Sequence, residues 1–198
     1  GCTSSRSASL LLALLLVNGC AAFAPSTKAE LQAAVDAWAS DPTSAEATYG
    51  HISNWITSAI TDMSYVFCAT TSSYYAYPDG LYCVNNGICC IPALASFNEP
   101  LNWDTSRVTT MAGMFRGATW FNQLLSFDTS SVTTMAYMFE DTYAFNQPLN
   151  FDTSSVTTME DMFSGAEAFN SPLNFDTSSV TTMAVMFAGA HAFHQLLS

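Results

Sequence analysis

The sequence predicts an α/β repeat solenoid built from 24-residue coils, and three columns of residues carry that prediction. Phe97, Phe121, Phe145, Phe169 and Phe193 recur at a spacing of 24. Asp104, Asp128, Asp152 and Asp176 keep the same period, as do the pairs Met111/Met114, Met135/Met138, Met159/Met162 and Met183/Met186. A fixed period of this size marks coils too small to bury an apolar face alone, which stack on their neighbours instead. With 49% apolar residues in 198, the chain can fill one such core.

The N-terminus predicts export. After Arg6, residues 9–17 form an apolar run of signal-peptide length, and Cys20-Ala21-Ala22 supplies small residues for cleavage, so 1–22 are assigned to a signal peptide. Two readings compete: Val17-Asn18-Gly19-Cys20 loosely matches a bacterial lipobox that would place a lipid on Cys20, and Ala22-Phe23-Ala24-Pro25 matches the cleavage motif of plastid presequences that use a secretory first step. Secretion or the cell surface is the preferred destination, because a transit peptide stays acid-poor whereas an acid-containing helix begins here within a few residues. Gly1 and the mid-coil stop at Ser198 predict a natural chain that extends further. Cleavage would leave Lys28, Arg107 and Arg116 against 16 acidic residues. Such a surface repels nucleic acid and anionic lipid, so membrane contact would need an anchor outside the chain or the lipid on Cys20.

A cap helix is expected over 23–48. Thr27 and Glu30 have capping-box spacing, Leu31, Ala34, Val35 and Trp38 fall on one helical face, and Asp41-Pro42 ends it. Residues 49–68 read as a degenerate first coil, since Trp55 precedes Trp103 by two periods. Residues 69–96 then lose the periodicity and carry turn dipeptides, which predicts an inserted loop. Cys68, Cys83, Cys89 and Cys90 cluster around it and predict two disulfides of open connectivity, with a zinc site as the weaker alternative.

Four regular coils follow over 97–192, with a truncated fifth at 193–198. In the third, Phe145–Phe151 alternates like a short strand, Asp152–Ser155 has turn chemistry, and Val156, Met159, Met162 and Ala166 follow helical spacing behind Thr157 as N-cap. Each coil is therefore expected to run strand, turn, short helix and loop.

The motif FNQPLNFDTSSVTTMEDMF at 145–163, with its counterparts across 97–192 and the degenerate coil at 49–68, resembles the BspA-family leucine-rich-repeat surface proteins, including the lipoprotein-type repeats of mycoplasmas and their algal relatives. The resemblance implies a leucine-rich-repeat-like solenoid, exported and serving adhesion or surface recognition. It brings no catalytic residues, and the loop at 69–96 departs from the plain repeat.

Each repeated column has a structural explanation and a sharper functional one. Asp104, Asp128, Asp152 and Asp176 could form a carboxylate ladder with calcium between coils, although each Asp-Thr-Ser can instead satisfy its own turn. The Met-x-x-Met pairs suggest copper but fit core packing better. Asn98, Asn122, Asn146 and Asn170 are expected to form an internal amide ladder at a bend. The threonine columns invite an ice-binding reading, against which N-capping is preferred. His51, His191 and His194 have no nucleophile or phosphate loop to serve, so no enzyme is expected and no cofactor beyond a possible calcium ion.

Function is therefore sought where the coils differ: Arg116, Tyr137, Glu140, Tyr143 and Asp161, together with Tyr74, Tyr75, Tyr77 and Tyr82 of the loop. The expected function is a macromolecular binding or adhesion module for a protein or glycan. The alternatives are a self-associating matrix or wall component and a calcium-dependent adhesion module.

Overall fold

The phenylalanine column organises the core as two interleaved stacks. In the computed structural model, which describes residues 16–17, 20–69, 82–84 and 88–195, Phe97, Phe121, Phe145, Phe169 and Phe193 lie face to face at 5.8–6.1 Å. A second row, Phe67, Phe115, Phe139, Phe163 and Phe187, stacks at 5.4–5.7 Å. The rows interlock at 4.1–4.3 Å between centroids. Each ring thus meets partners in its own coil and in the next, in the offset stacking that aromatic quadrupoles favour. Val108, Met111 and Met114 and their counterparts in the next two coils are fully buried beside them. These methionines are core residues, whereas Met183 is exposed.

The backbone corrects the predicted fold class. Among the described residues, 97–195 contain neither a helix longer than turns nor a strand, so no α/β repeat solenoid of leucine-rich-repeat type is present. The α-helices precede the repeat, and the short strands lie in the N-terminal segment and within the span 69–96: β1 (Leu16–Val17) pairs with β2 (Cys20–Ala21), and β3 (Tyr82–Val84) pairs antiparallel with β4 (Ile88–Cys90). Within the repeat, adjacent coils share a single parallel bridge, at Thr110, Thr134, Thr158 and Thr182 in turn.

Overlapping turns replace the expected helix. Met114 N–H donates to Met111 C=O, Arg116 N–H to Gly113 C=O, and Ala118 N–H to Phe115 C=O. The intervening donors point out of the coil: the N–H groups of Met111, Gly113, Phe115 and Gly117 reach the carbonyls of Thr134, Ala136, Met138 and Glu140 at 2.7–3.1 Å. The two following interfaces repeat this pattern. Helical i→i+4 bonds cannot form when every second N–H is committed to the neighbouring coil. Spacing of apolar residues at i, i+3 and i+4 records which side chains are buried, and it is satisfied here by a ribbon of turns.

That ribbon needs left-handed backbone twice per coil, at 113 and 117, 137 and 141, 161 and 165, and 185 and 189. Glycine occupies the site at 113, 117, 165 and 189, whereas Tyr137, Asp141, Asp161 and Val185 hold φ of 51–61°. At Gly113 the Tyr65 ring fills the space a Cβ would need, and at Gly165 the Asp141 carboxylate does.

Threonines clamp the coils. Thr57, Thr105, Thr129 and Thr153 are buried, and each Oγ1 donates to the Asp carbonyl of the next coil at 2.9–3.0 Å. Thr109, Thr133, Thr157 and Thr181 donate back to the preceding coil. The expected N-capping role for Thr157 is therefore replaced by an inter-coil bond. The asparagine ladder exists on the surface instead of the interior: Oδ1 of Asn98, Asn122, Asn146 and Asn170 accepts the N–H of residues 122, 146, 170 and 194.

At the N-terminal end, α1 (Lys28–Ser40) starts in a Thr27/Glu30 capping box and buries Leu31, Ala34, Val35 and Trp38. Asp41 then caps α2 (Pro42–Tyr49), with Pro42 in its first turn, so Asp41-Pro42 opens a second helix after ending the first. The coil at 49–68 stacks directly on 97–120, with Met63, Tyr65, Phe67 and Ala69 donating to residues 110, 112, 114 and 116. No coil is interposed between the two; of the loop expected at 69–96, residues 70–81 and 85–87 lie outside the described residues. Cys68 and Cys90 are joined by a disulfide, their Cα atoms 4.7 Å apart.

Removing a ring from the interlocked stack, as in Phe139→Ala, is expected to cost about 3–5 kcal/mol in denaturant unfolding. Val185→Gly should act in the opposite direction. It relieves an exposed β-branched residue at φ 61° and is expected to raise unfolding free energy by about 0.5–1 kcal/mol.

Candidate functional site

The turn ribbon places equivalent residues of successive coils side by side, so coil-specific side chains 24 apart become neighbours. Arg116 and Glu140 are such a pair. Arg116 Nη2 donates to Glu140 Oε1 at 2.9 Å, while Nε and Oε2 lie 2.8 Å apart without forming a hydrogen bond. Both side chains are largely buried, at 14% and 16% exposure. The guanidinium also lies 5.4 Å from the Tyr137 ring centroid, within cation–π range.

The cluster contains more carboxylates than cations. Burial pushes Glu140 up to about 7; Arg116 opposes that shift, and Asp141 and Asp161 reinforce it. Burial likewise raises Asp141, with Arg116 opposing and Glu167 reinforcing. Asp161 is raised by burial and by Glu160. Tyr137 is raised first by burial and then by these acids. Four of the five coil-specific residues singled out in the sequence therefore meet in one electrostatic cluster, joined by Asp141. Arg116 and Glu140 are engaged with each other, and Tyr137 and Asp161 are half-buried.

Tyr143 borders the cluster, its hydroxyl raised first by Asp141, and is exposed at 44%. The fold also exposes two residues that the sequence reading passed over, Trp120 at 65% exposure and Leu124 at 55%. Ala144 N–H donates to Thr119 C=O at 3.0 Å, which sets Tyr143 and Trp120 in adjacent coils about one residue out of register. A sequence signal for both existed. Trp120 occupies a column otherwise filled by Ala144, Ala168 and Ala192, and Leu124 one held by Pro100, Pro148 and Pro172 and again by a leucine at 196. A bulky apolar side chain on the exposed edge of one coil has no role in stacking.

The aspartate column is exposed and serves its own turns. Oδ1 of Asp104, Asp128 and Asp152 accepts both the N–H and the hydroxyl of the serine two residues on, and Asp176 accepts Ser178 N–H. These bonds hold all four carboxyls below the usual range. Among the described residues no three His, Cys, Asp or Glu side chains assemble to hold a metal. Of the cysteines, Cys68 and Cys90 are joined. The side chains of Tyr82, Cys83 and Cys89, together with Tyr74, Tyr75, Tyr77, residues 1–15 and 196–198, lie outside the described residues. Among the described residues no helix is long and apolar enough to cross a membrane.

A capped stack of 24-residue coils defines a repeat protein. The family described as "Mycoplasma protein of unknown function, DUF285" matches residues 36–75 and 91–198, and the chain belongs to it. This agrees with the mycoplasma-type repeat seen in the sequence, while the leucine-rich-repeat part of that resemblance finds no counterpart in the backbone. No curated protein and no solved structure matches the chain.

Glu140 makes stability pH-dependent. Its folded-state pKa of about 7 lies above the ordinary 4.5, so its contribution is complete below the ordinary value and is lost as pH rises through 7. Unfolding free energy should fall between about pH 5 and pH 8 by an amount on the order of 3 kcal/mol at most. Glu140→Gln is expected to flatten that slope in denaturant titrations across pH.

Proposed function

We propose that this chain is a secreted or cell-surface repeat protein that binds a protein or glycan partner without catalysis. One observation carries the reading: the repeated Phe, Met, Thr, Asp and Asn residues are consumed by stacking and turns, whereas Trp120 and Tyr143 are coil-specific and exposed. Aromatic side chains of this kind supply contact area at low entropic cost and dominate binding energy where they cluster. The acidic balance of the chain disfavours nucleic acid and anionic membranes as partners. The Cys68–Cys90 disulfide suits an oxidising compartment, in line with export.

Screening the folded chain against arrays of glycans and surface proteins tests this directly. Binding is expected, weakened about tenfold or more by Trp120→Ala or Tyr143→Ala with unfolding transitions unchanged. A chain that binds no member of either array, or whose binding survives both substitutions, contradicts the proposal.

A further inference from the structure

A cleft of about 130 Å³ lies where the helical cap meets the first regular coil. The cap helices contribute Trp38 and Pro42, and the segment around the 3-10 turn Pro92–Ser96 contributes Ala93, Leu94 and Phe97. Two polar groups at this cleft lack partners. Trp38 is 6% exposed, and its indole N–H donates to no acceptor among the described residues, whereas Trp55 and Trp103 donate to Gly50 C=O at 3.0 Å and Ile52 C=O at 2.8 Å. A buried indole N–H ordinarily finds an acceptor. That of Trp38 is not sealed in protein, since the fully enclosed unpaired atoms among the described residues are Arg116 Nε and Glu140 Oε2. It is therefore open to the cleft that its residue lines.

The second group is the Glu99 carboxylate, 44% exposed, which accepts no hydrogen bond among the described residues. The neighbouring His51 Nε2 lies 3.8 Å away, beyond hydrogen-bond reach, and His51 Nδ1 is held by Ser53 Oγ at 2.7 Å. The other polar groups of the cleft are engaged: the Ser96 hydroxyl donates to Ala93 C=O, and Asn98 Oδ1 accepts Asn122 N–H.

We infer that the cleft receives a lysine side chain from an extended segment of a partner protein, its ammonium on Glu99 and a backbone carbonyl of the same segment on Trp38 N–H. The inference rests on the proposed function, that the chain binds a macromolecule, and names the chemistry of the partner. Size is the first argument. The cleft has less than half the volume of about 300 Å³ at which small-molecule sites begin, so it takes one side chain of something larger. Shape is the second: Trp38 and Phe97 are each 6% exposed, leaving no open ring face on which a sugar could stack, whereas an unbranched four-carbon stem passes between such walls. Charge is the third, since an unpaired carboxylate on a chain of net charge −12 attracts a cation. An ammonium accepts no hydrogen bond, so it leaves the Trp38 donor unsatisfied; the main chain on either side of the lysine supplies the acceptor. Trp120 N–H donates to Ala95 C=O at 3.1 Å, so the backbone of the exposed tryptophan adjoins the wall of this cleft.

The indole 15N–1H NMR spectrum of the folded chain tests the inference, with a blocked peptide carrying one lysine between two pairs of glycines as the probe. At millimolar peptide the Trp38 cross-peak is expected to move downfield and saturate, while those of Trp55 and Trp103 stay in place. Acetylating the lysine of the peptide, or Glu99→Gln in the chain, should weaken binding about tenfold, and Glu99→Lys should abolish it. Glu99 makes no hydrogen bond among the described residues, so both variants should unfold as the parent does. An unmoved Trp38 cross-peak, equal binding of the acetylated peptide, undiminished binding by Glu99→Gln, or a cross-peak moved by N-acetylglucosamine in place of the peptide would overturn the inference. All of these outcomes are read at Trp38, so they leave the array screen with Trp120→Ala to decide the proposed function separately.

Discussion

The structure depends on a register of 24 residues between coils, enforced by two interactions at once. Alternate backbone N–H groups of each turn ribbon bond to carbonyls of the next coil, and the double phenylalanine stack repeats with the same period. Neither is sufficient alone. A turn ribbon without a core would surrender its bonds to water, and stacked rings without directional bonds would slide. Because both share one period, a shift of register would break every inter-coil bond and misalign every ring together. This explains why the unit length does not vary across 97–192.

The same register determines which parts of the fold were legible in the sequence. Burial was legible: Val108, Met111, Met114, Phe115 and their counterparts through 163 are inside, as their spacing predicts. The capping box at Thr27 was legible because it is a local interaction with a local pattern. The strand and helix of each coil were misread because apolar spacing does not state where an N–H finds its acceptor. The corrective signal lay in Gly113, in the middle of the expected helix, and in Gly117, Gly165 and Gly189 near its end. Their columns also hold Tyr137, Asp141, Asp161 and Val185, which hid the need for left-handed backbone.

For the site, sequence variation between coils pointed to Arg116, Tyr137, Glu140 and Asp161 as a group without showing what joins them. The stack joins them because residues 24 apart become neighbours, and the result is an internal charge cluster. Tyr143, together with the unnoticed Trp120 and Leu124, faces outward. The distinction between an inward and an outward coil-specific residue is a matter of position around the coil, which no spacing along the chain reveals. Such a division of labour is economical in a repeat protein: repeated residues maintain the stack, and single departures from the repeat confer individuality.

The central claim is that every second amide of the ribbon is held by the next coil instead of by its own helix turn. Residue-resolved amide hydrogen exchange measures this most directly. The account predicts uniform protection across 111–118, 135–142 and 159–166. In a polypeptide made to end at Ser198 it predicts alternation in the last coil, with Met183, Val185, Phe187 and Gly189 exchanging fast and Met186, Ala188 and Ala190 slowly. Contiguous protection through 183–190, as an α-helix would give, would contradict it.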